Sequence, residues 1–260
     1  MAKTPKPNAA QIASPSYRLP ALDADFLLGE SMRGTRFLLE YEKADQALKA
    51  WGVHSTIVVF GSARVGEDHT WYKAAREFAR IASTRGGALL QDHDGVRENV
   101  IATGGGPGIM EAANRGAHDV GAPTVGFNIT LPREQEPNPY TTPALTFRFH
   151  YFAMRKMHFA MHAKALVVFP GGFGTFDELF ELLTLTQTGK TPRIPIVLVD
   201  QDYWQKAIDF ATLRDNGMVS AEDLALLEFA ADGADAWAIL KQAGVAPAAV
   251  AAGNLPLGGA

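Results

Sequence analysis

Short apolar segments alternate with glycine-containing turns and amphipathic segments along most of the chain. Segments such as STIVVF, ALVVF and IPIVLV are apolar at nearly every position, which indicates strands buried on both faces. The segments between them carry apolar residues at helical spacing. We count seven strand segments, and their alternation with helices predicts an α/β fold, a Rossmann-like parallel sheet with helices on both faces.

An extra N-terminal helix is predicted before the first strand, between about Asp23 and Trp51. Charged residues separate its apolar positions, so one face of the helix is apolar. The apolar positions on that face are Phe37, Leu38, Tyr41, Ala44 and Leu48.

The two ends of the chain differ in composition from the middle. Residues 1–20 are rich in Pro, Ser and Ala, and residues 245–260 are rich in Ala, Gly and Pro. Such composition is typical of flexible segments. We therefore predict one Rossmann-like domain at residues 21–244, with a flexible segment on each side.

The composition excludes several kinds of site. The 260 residues include no cysteine, which removes disulfides, thiolate zinc sites and cysteine nucleophiles. A net charge of −4 gives no general attraction to nucleic acid or to an anionic membrane. The apolar runs are too short to span a bilayer or to form a signal peptide, so we expect a cytoplasmic protein without nucleic-acid or membrane partners.

Three glycine turns follow predicted strands, at residues 61–64, 104–108 and 170–175. In a parallel sheet these turns share the edge where ligands bind. Backbone N–H groups at the start of a helix suit a phosphate, and glycine lets a ligand approach closely. None of the turns matches a Walker or dinucleotide motif, and tight turns without a ligand remain an alternative. The candidates in the first two turns are Gly61, Ser62, Gly105 and Gly106.

Thr175 and Glu178 have the spacing of a helix capping box. From spacing alone, a cap is favoured over a catalytic carboxylate. Arg155 and Lys156 are, by the same reasoning, equally well explained as a solvated basic pair.

His158 and His162 are one helical turn apart, as metal ligands can be, but no acidic third ligand stands at motif spacing. Surface or core histidines are the better interpretation, and no metal is predicted.

Two motifs carry a resemblance to a known family. MRK at residues 154–156 and PGGFGTFDE at residues 170–178 resemble the LOG family, the cytokinin-activating nucleoside 5′-monophosphate phosphoribohydrolases. That family has often been mislabelled as lysine decarboxylase. The resemblance covers roughly Ser55 to Asp200, and the N-terminal helix is similar to that of the longer bacterial type.

The resemblance implies hydrolysis of the N-glycosidic bond in a purine nucleoside 5′-monophosphate, with adenine or an N6-modified adenine as the base. The products would be the free base and ribose 5-phosphate. We predict that the reaction needs no metal and no organic cofactor. The resemblance implies a homo-oligomer, at least a dimer, and the amphipathic N-terminal helix favours further association into a hexamer.

The resemblance also assigns roles to residues. Arg155 and Glu178 correspond to the catalytic pair. Glu134 is a weaker match to a ribose-binding carboxylate, and Asp177 stands where many relatives carry Glu. The residues that would line the nucleotide site are Met154, Lys156, Gly171, Gly172, Phe173, Gly174 and Thr175.

The chemistry of the reaction agrees with this assignment, since glycosidic cleavage places positive charge on the ribose and a nearby carboxylate stabilises it. Two other functions stay open. A non-catalytic nucleotide carrier or sensor is compatible with the same fold. A decarboxylase would need pyridoxal phosphate on a lysine, and no lysine in the sequence is a convincing site.

Overall fold

A computed structural model describes residues 6–89, 95–131 and 136–245. The chain forms two compact units, Met1–Lys43 and Ala44–Ala260. The predicted flexible ends and the domain limits at 21 and 244 stay predictions.

The first unit contains short helices. Its α-helices and 3-10 turns are α1 (Ala9–Ala13), Pro15–Tyr17, Pro20–Leu22, α2 (Ala24–Leu28), Glu30–Met32 and the start of α3 (Arg33–Ala50). The prediction of a single helix from about Asp23 to Trp51 was wrong, because the segment is divided between α2 and α3. Asp23 caps α2 by accepting a hydrogen bond from the Phe26 N–H at 3.3 Å, and Gly29 is extended, which ends the helix.

Seven parallel strands form one sheet in the second unit, in agreement with the seven predicted segments. Their order is β4-β3-β2-β1-β5-β6-β7. Their bounds are β1 (Thr56–Phe60), β2 (Val100–Thr103), β3 (Thr124–Ile129), β4 (Thr146–Phe149), β5 (Ala163–Val168), β6 (Ile196–Val199) and β7 (Leu227–Ala230). Every residue of β1, β2 and β6 is buried, as expected for strands covered on both faces. The predicted Rossmann-like α/β class is confirmed.

Helices connect the strands and enclose the sheet. They are α4 (Thr70–Arg85), α5 (Ile109–His118), α6 (Phe152–His162), α7 (Phe173–Gln187), α8 (Gln201–Ala207), α9 (Phe210–Asp215), α10 (Ala221–Leu224) and α11 (Gly233–Gln242). The prediction of one helix from Tyr203 to Leu213 was wrong. The Asp209 carboxylate accepts a hydrogen bond from the Thr212 N–H at 2.9 Å and so begins a separate helix, α9.

The order of the strands fixes where a ligand can enter. From β1 the chain adds strands in one direction as far as β4, and β5 then returns to pair with the other side of β1. The turns that follow β1 and β5 therefore lead away from each other. In parallel α/β sheets, such a reversal opens a crevice at the carboxyl ends of the two strands.

An aromatic cluster holds α6 against β3 and β4. The Phe127 ring meets the edge of Phe159 at a centroid distance of 5.1 Å and contacts Phe149 at 5.9 Å. His158, also on α6, is fully buried and stacks on Phe127. His158 is therefore a core histidine, in agreement with the interpretation of this residue from the sequence.

Close packing of α4 against α5 gives a test of the fold. An added Cβ at Gly116 in α5 would overlap the backbone carbonyl of Arg76 in α4. Gly116→Ala should lower the free energy of unfolding by about 1–3 kcal/mol, as overpacked sites do. Gly34→Ala in α3 is the control, because nothing lies within 4 Å of a Cβ added at this position. Alanine should there leave stability unchanged or raise it by up to about 1 kcal/mol. Thermal melts followed by circular dichroism would decide, and equal melting temperatures for the two variants would contradict the contact.

Candidate active site

Ser62 ties the three glycine turns together. Its backbone N–H donates to the Pro170 carbonyl at 2.9 Å, and its carbonyl accepts from the Ile109 N–H at 3.0 Å. Its Oγ accepts from the Arg64 N–H at 3.1 Å. The turns after β1, β2 and β5 are therefore joined through one residue at the same edge of the sheet.

A cleft of about 800 Å³ opens between the turns that follow β1 and β5. It lies at the reversal of strand order, where the fold predicts a ligand site. Many of the residues predicted from the sequence line it. These are Gly61, Ser62, Arg155, Gly171, Gly172, Phe173, Gly174, Thr175 and Glu178.

The turn after β5 begins α7 in a way that rules out the capping box. Gly172 is the N-cap and has no side chain to accept a hydrogen bond. Thr175 lies inside the first turn, with its N–H bonded to the Gly172 carbonyl at 2.9 Å, and its side chain fills the space that a Cβ on Gly171 would need. Glu178 lies about one turn further along. The capping-box interpretation was wrong, and the Glu178 carboxylate has no role at the helix end.

The start of α7 suits an anion. The first N–H groups of any α-helix have no partner within the helix, and the helix dipole places partial positive charge there. Gly172, Phe173 and Gly174 are exposed at this end and line the cleft. Arg64, on the facing turn, adds a full positive charge. The arrangement can therefore hold a phosphate group.

Arg155 is buried beneath the cleft, so it is not a solvated basic residue. Only 9% of it is exposed, and its Nε donates to the Phe127 carbonyl at 2.8 Å. The guanidinium also lies over the Phe159 ring at 5.3 Å. Burial lowers the pKa of Arg155, against the attraction of Glu178 and Asp177. The side chain nevertheless stays charged, because arginine is not deprotonated in proteins.

Glu178 faces Arg155 inside the cleft. Its Oε1 is 3.8 Å from the Arg155 Nη1, and only 5% of the residue is exposed. Burial raises the pKa of the Glu178 carboxyl to about 7, although Arg155 and Lys156 act to lower it. A carboxyl with this pKa exchanges protons near neutral pH, which suits a general acid or base.

Other predicted residues lie outside the cleft lining. The Lys156 Nζ binds carboxylates of α7 instead, Asp177 at 2.8 Å and Glu181 at 3.2 Å. Met154 is partly buried and packs against the core. The structure does not bring these two residues to the cleft, and a role for them in nucleotide binding stays a prediction.

The second glycine turn is covered by Asn138. Its N–H donates to the Gly105 carbonyl at 2.8 Å, and its Nδ2 donates to the Gly106 carbonyl at 3.0 Å. Both glycines are buried and do not line the cleft. Glu134 lies outside the described residues, so its predicted contact with the ribose stays a prediction.

Sequence reasoning missed several lining residues. Arg64 could have been predicted from the sequence, because it is the last residue of the GSAR turn, which was already a candidate ligand-binding turn. Tyr203 had none, because it follows a different strand, and only the pairing of β6 with β5 brings it near the PGGFGT turn. Its hydroxyl donates to the Gly171 carbonyl at 2.5 Å. The other missed residues are Phe60, Ala63, Met110, Phe152, Phe176, Asp177 and Ala207.

Neither a metal cluster nor a membrane span is found in the described ranges. No three His, Asp or Glu side chains of residues 6–89, 95–131 and 136–245 lie close enough to hold a metal ion. No helix in that part of the chain is long and apolar enough to cross a bilayer.

A known family matches the part of the chain that contains one side of the cleft. The family model described as "Possible lysine decarboxylase" matches residues 110–240, half of the chain, and includes Arg155, Glu178 and the PGGFGT turn. The chain belongs to this family. The resemblance to the LOG proteins is thereby confirmed.

Curated relatives carry the LOG name. Cytokinin riboside 5′-monophosphate phosphoribohydrolase LOG2 of Arabidopsis thaliana is 27% identical over 170 residues, which cover 64% of this chain and 72% of the relative. LOG3 of the same plant is 29% identical over 43% of this chain and 52% of its own length. The LOG protein of Oryza sativa subsp. japonica is 28% identical over 48% of this chain and 51% of its own length. The chain thus spans about half the length of the latter two.

Solved structures share the fold. The molybdenum cofactor binding protein from Rippkaea orientalis aligns with a TM-score of 0.51 at 18% identity, over 73% of this chain and 96% of that chain. The X-ray structure of a structural-genomics target aligns with a TM-score of 0.50 at 20% identity, over 72% and 99%. At this identity the likeness extends to the fold alone.

The decarboxylase description of the family does not fit the cleft. Pyridoxal phosphate is held as a Schiff base on a lysine, and no lysine of the described residues lines the cleft. Lys156 is the lysine beside it, and its ammonium group is held by Asp177 and Glu181. The side chains around the cleft therefore do not suit pyridoxal phosphate.

Burial of Glu178 predicts a pH-dependent cost to stability. An unfolded glutamate releases its proton near pH 4.5, whereas the folded Glu178 releases it near pH 7. Between these values the unfolded state binds fewer protons, so the free energy of unfolding falls as the pH rises. Glu178→Gln removes this loss. The variant should gain about 2–3 kcal/mol relative to wild type between pH 4.5 and pH 8, at about 1.4 kcal/mol per pKa unit.

Urea unfolding of both proteins at several pH values would measure this difference. Glu77→Gln on α4 is the control, because the Arg80 side chain lowers the pKa of Glu77 and the residue is more exposed. No relative gain is expected for Glu77→Gln from pH 5 to pH 8. A constant offset between Glu178→Gln and wild type would show that the pKa of Glu178 is ordinary.

Proposed function

We propose that this protein hydrolyses the N-glycosidic bond of purine nucleoside 5′-monophosphates and releases the free base and ribose 5-phosphate. The observation that carries the proposal is the buried Glu178 carboxyl, with a pKa of about 7, beside Arg155 and the start of α7. The names of the curated relatives, nucleotide phosphoribohydrolases, support it.

The 5′-phosphate binds at the turn that begins α7. The exposed N–H groups of residues 172–174 and the charge of Arg64 act together on the dianion. Binding there directs the ribose toward Glu178, about one helical turn along the same helix. The phosphate thereby orients the bond that is cleaved.

Glu178 acts on the sugar and on water. As the bond between C1′ and the base nitrogen breaks, its electron pair goes to the base and positive charge grows on the ribose. The Glu178 carboxylate stabilises this charge and accepts a proton from the water whose oxygen attacks C1′. The leaving base takes a proton on nitrogen from solvent, and Glu178 afterwards returns to solvent the proton that it took from water, so the overall reaction consumes one water. Arg155, 3.8 Å away, favours the ionised form of Glu178, which is the form that acts as the base.

The base is adenine or an N6-modified adenine. The cleft offers flat and apolar side chains, among them Phe60, Met110 and Phe152, which suit a purine ring. Comparing the turnover of AMP with that of isopentenyladenosine monophosphate ranks the two bases. The proposed reaction uses no metal and no organic cofactor, and activity should persist in EDTA.

Glu178→Gln tests the catalytic assignment. Glutamine keeps the shape of the side chain but has neither the charge nor the basicity, so turnover of AMP should fall by about two to four orders of magnitude. Free adenine is measured by liquid chromatography. For wild type, kcat should rise with pH through about 7, as Glu178 loses its proton.

The control for this measurement is Glu77→Gln, the same substitution outside the cleft, which should retain wild-type turnover. Turnover of Glu178→Gln within about threefold of wild type would contradict a catalytic role for Glu178. Tight binding of AMP by a wild-type protein that releases no adenine would instead favour a nucleotide carrier or sensor.

We also propose that the chain assembles with a second copy of itself. Phe173 and Phe180 on α7 are 92% and 40% exposed, and both line a groove along that helix. Exposed aromatic side chains grouped in this way are typical of protein interfaces. A dimer formed there places each subunit beside the phosphate turn of the other.

Light scattering at micromolar concentration should give the mass of a dimer or a larger assembly. Phe180→Glu should shift the mass toward that of a monomer, because a charge would be buried in the contact. Phe26→Glu, at an aromatic residue that is 45% exposed on α2, is the control and should keep the wild-type mass. A wild-type monomer would refute the assembly.

A further inference from the structure

The Tyr203 hydroxyl contacts the backbone of the phosphate turn. Tyr203 lies on α8, which follows β6, whereas the turn follows β5. Its OH donates to the Gly171 carbonyl at 2.5 Å, and its side chain lines the same cleft as Glu178. This contact joins the first residues of α8 to the turn that begins α7.

Asp200 holds Tyr203 in place. It directly follows β6 and adopts a left-handed backbone, with φ of 71°, which is unusual for a residue other than glycine. Its Oδ1 accepts from the Tyr203 N–H at 3.0 Å, and its Oδ2 accepts from the Trp71 Nε1 at 2.9 Å. The Trp71 and Tyr203 rings also meet edge to face, with centroids 5.6 Å apart. Tyr203 is therefore fixed from two elements before it reaches the turn.

The hydrogen bond to Gly171 fixes a peptide plane in the turn. In a trans peptide the C=O and the following N–H point in opposite directions, so fixing the Gly171 carbonyl also fixes the Gly172 N–H. Consecutive glycines otherwise have wide backbone freedom, and ordering them on ligand binding costs conformational entropy. A turn that is already ordered binds its ligand more tightly.

We propose that Tyr203 is a positioning residue for phosphate binding, with its hydroxyl fixing the Gly171–Gly172 peptide so that the turn receives the phosphate without rearrangement. This inference rests on the proposed function only in that the ligand carries a phosphate on this turn. Trp71 and Asp200 hold Tyr203 in place and affect the turn only through it. The simpler explanation is that the hydroxyl only satisfies a backbone carbonyl, and removal of the hydroxyl separates the two explanations.

The test uses Tyr203→Phe, which removes only the hydroxyl. Titration calorimetry with ribose 5-phosphate should give a Kd about three- to tenfold higher than for wild type, the usual effect of one hydrogen bond. The affinity for adenosine, which lacks the phosphate, should change by less than twofold. In steady state with AMP, KM should rise by the same factor as the Kd while kcat stays within twofold.

Two further variants complete the series. Trp71→Phe removes the indole donor to Asp200 and should raise the Kd for ribose 5-phosphate by a smaller factor. Tyr72→Phe is the matched control, since the Tyr72 hydroxyl donates to Glu111 at 2.8 Å outside the cleft, and its Kd should equal that of wild type. If Tyr203→Phe does not fold, Trp71→Phe carries the test, and a wild-type Kd in that variant overturns the proposal.

A Kd for ribose 5-phosphate in folded Tyr203→Phe that equals the wild-type value overturns the proposal. So does an equal loss of affinity for adenosine, which indicates general damage to the site, or a wild-type protein that does not bind ribose 5-phosphate. A wild type that binds ribose 5-phosphate but releases no adenine from AMP defeats only the proposed hydrolysis.

Discussion

The pairing of β5 with β1 is the constraint on which the site depends. The strands β1 to β4 follow one another in one direction across the sheet. The chain then returns to the other side of β1, where Val168 of β5 pairs with Phe60 of β1. Their following turns must separate, because one leads toward β2 and the other toward β6. The crevice between them exists for this topological reason, and among the described residues it is lined by the two turns and by side chains of the neighbouring helices.

Burial of charge gives this crevice its chemistry. Arg155 and Glu178 come from α6 and α7, and the protein removes both from water while leaving them 3.8 Å apart. Desolvation then works against ionisation of both groups, and their mutual attraction compensates only in part. Stability alone would favour a different pair of residues at these positions. The retention of a poorly solvated carboxyl is understandable if its proton affinity serves a reaction.

Much of the fold could be predicted from the sequence, because buried parallel strands and glycine turns have strong local patterns. Local pattern also misled: Thr175 and Glu178 matched a capping box, but α7 begins at Gly172, and only the three-dimensional start of the helix reveals this. The resemblance placed Lys156 in the site beside Arg155, and that role stays a prediction. Adjacent helical residues point in different directions, and the Lys156 Nζ contacts Asp177 on α7. Tyr203 could not be found from its own segment, since its relation to the PGGFGT turn exists only through the pairing of two strands.

Ser62 has a consequence for how the protein can move. Its backbone hydrogen bonds run to Pro170 on one side and from Ile109 on the other, so none of the three glycine turns can shift without breaking a bond to its neighbour. Glycine-rich segments are usually the most mobile parts of a domain, yet these three are joined to one another by backbone hydrogen bonds. Adaptation to ligands of different size is therefore left to exposed side chains of the cleft, such as Phe152, while the backbone of the turns keeps its position. Under the proposed function, the phosphate is the group that this backbone selects, and the base is the part of the ligand that can vary.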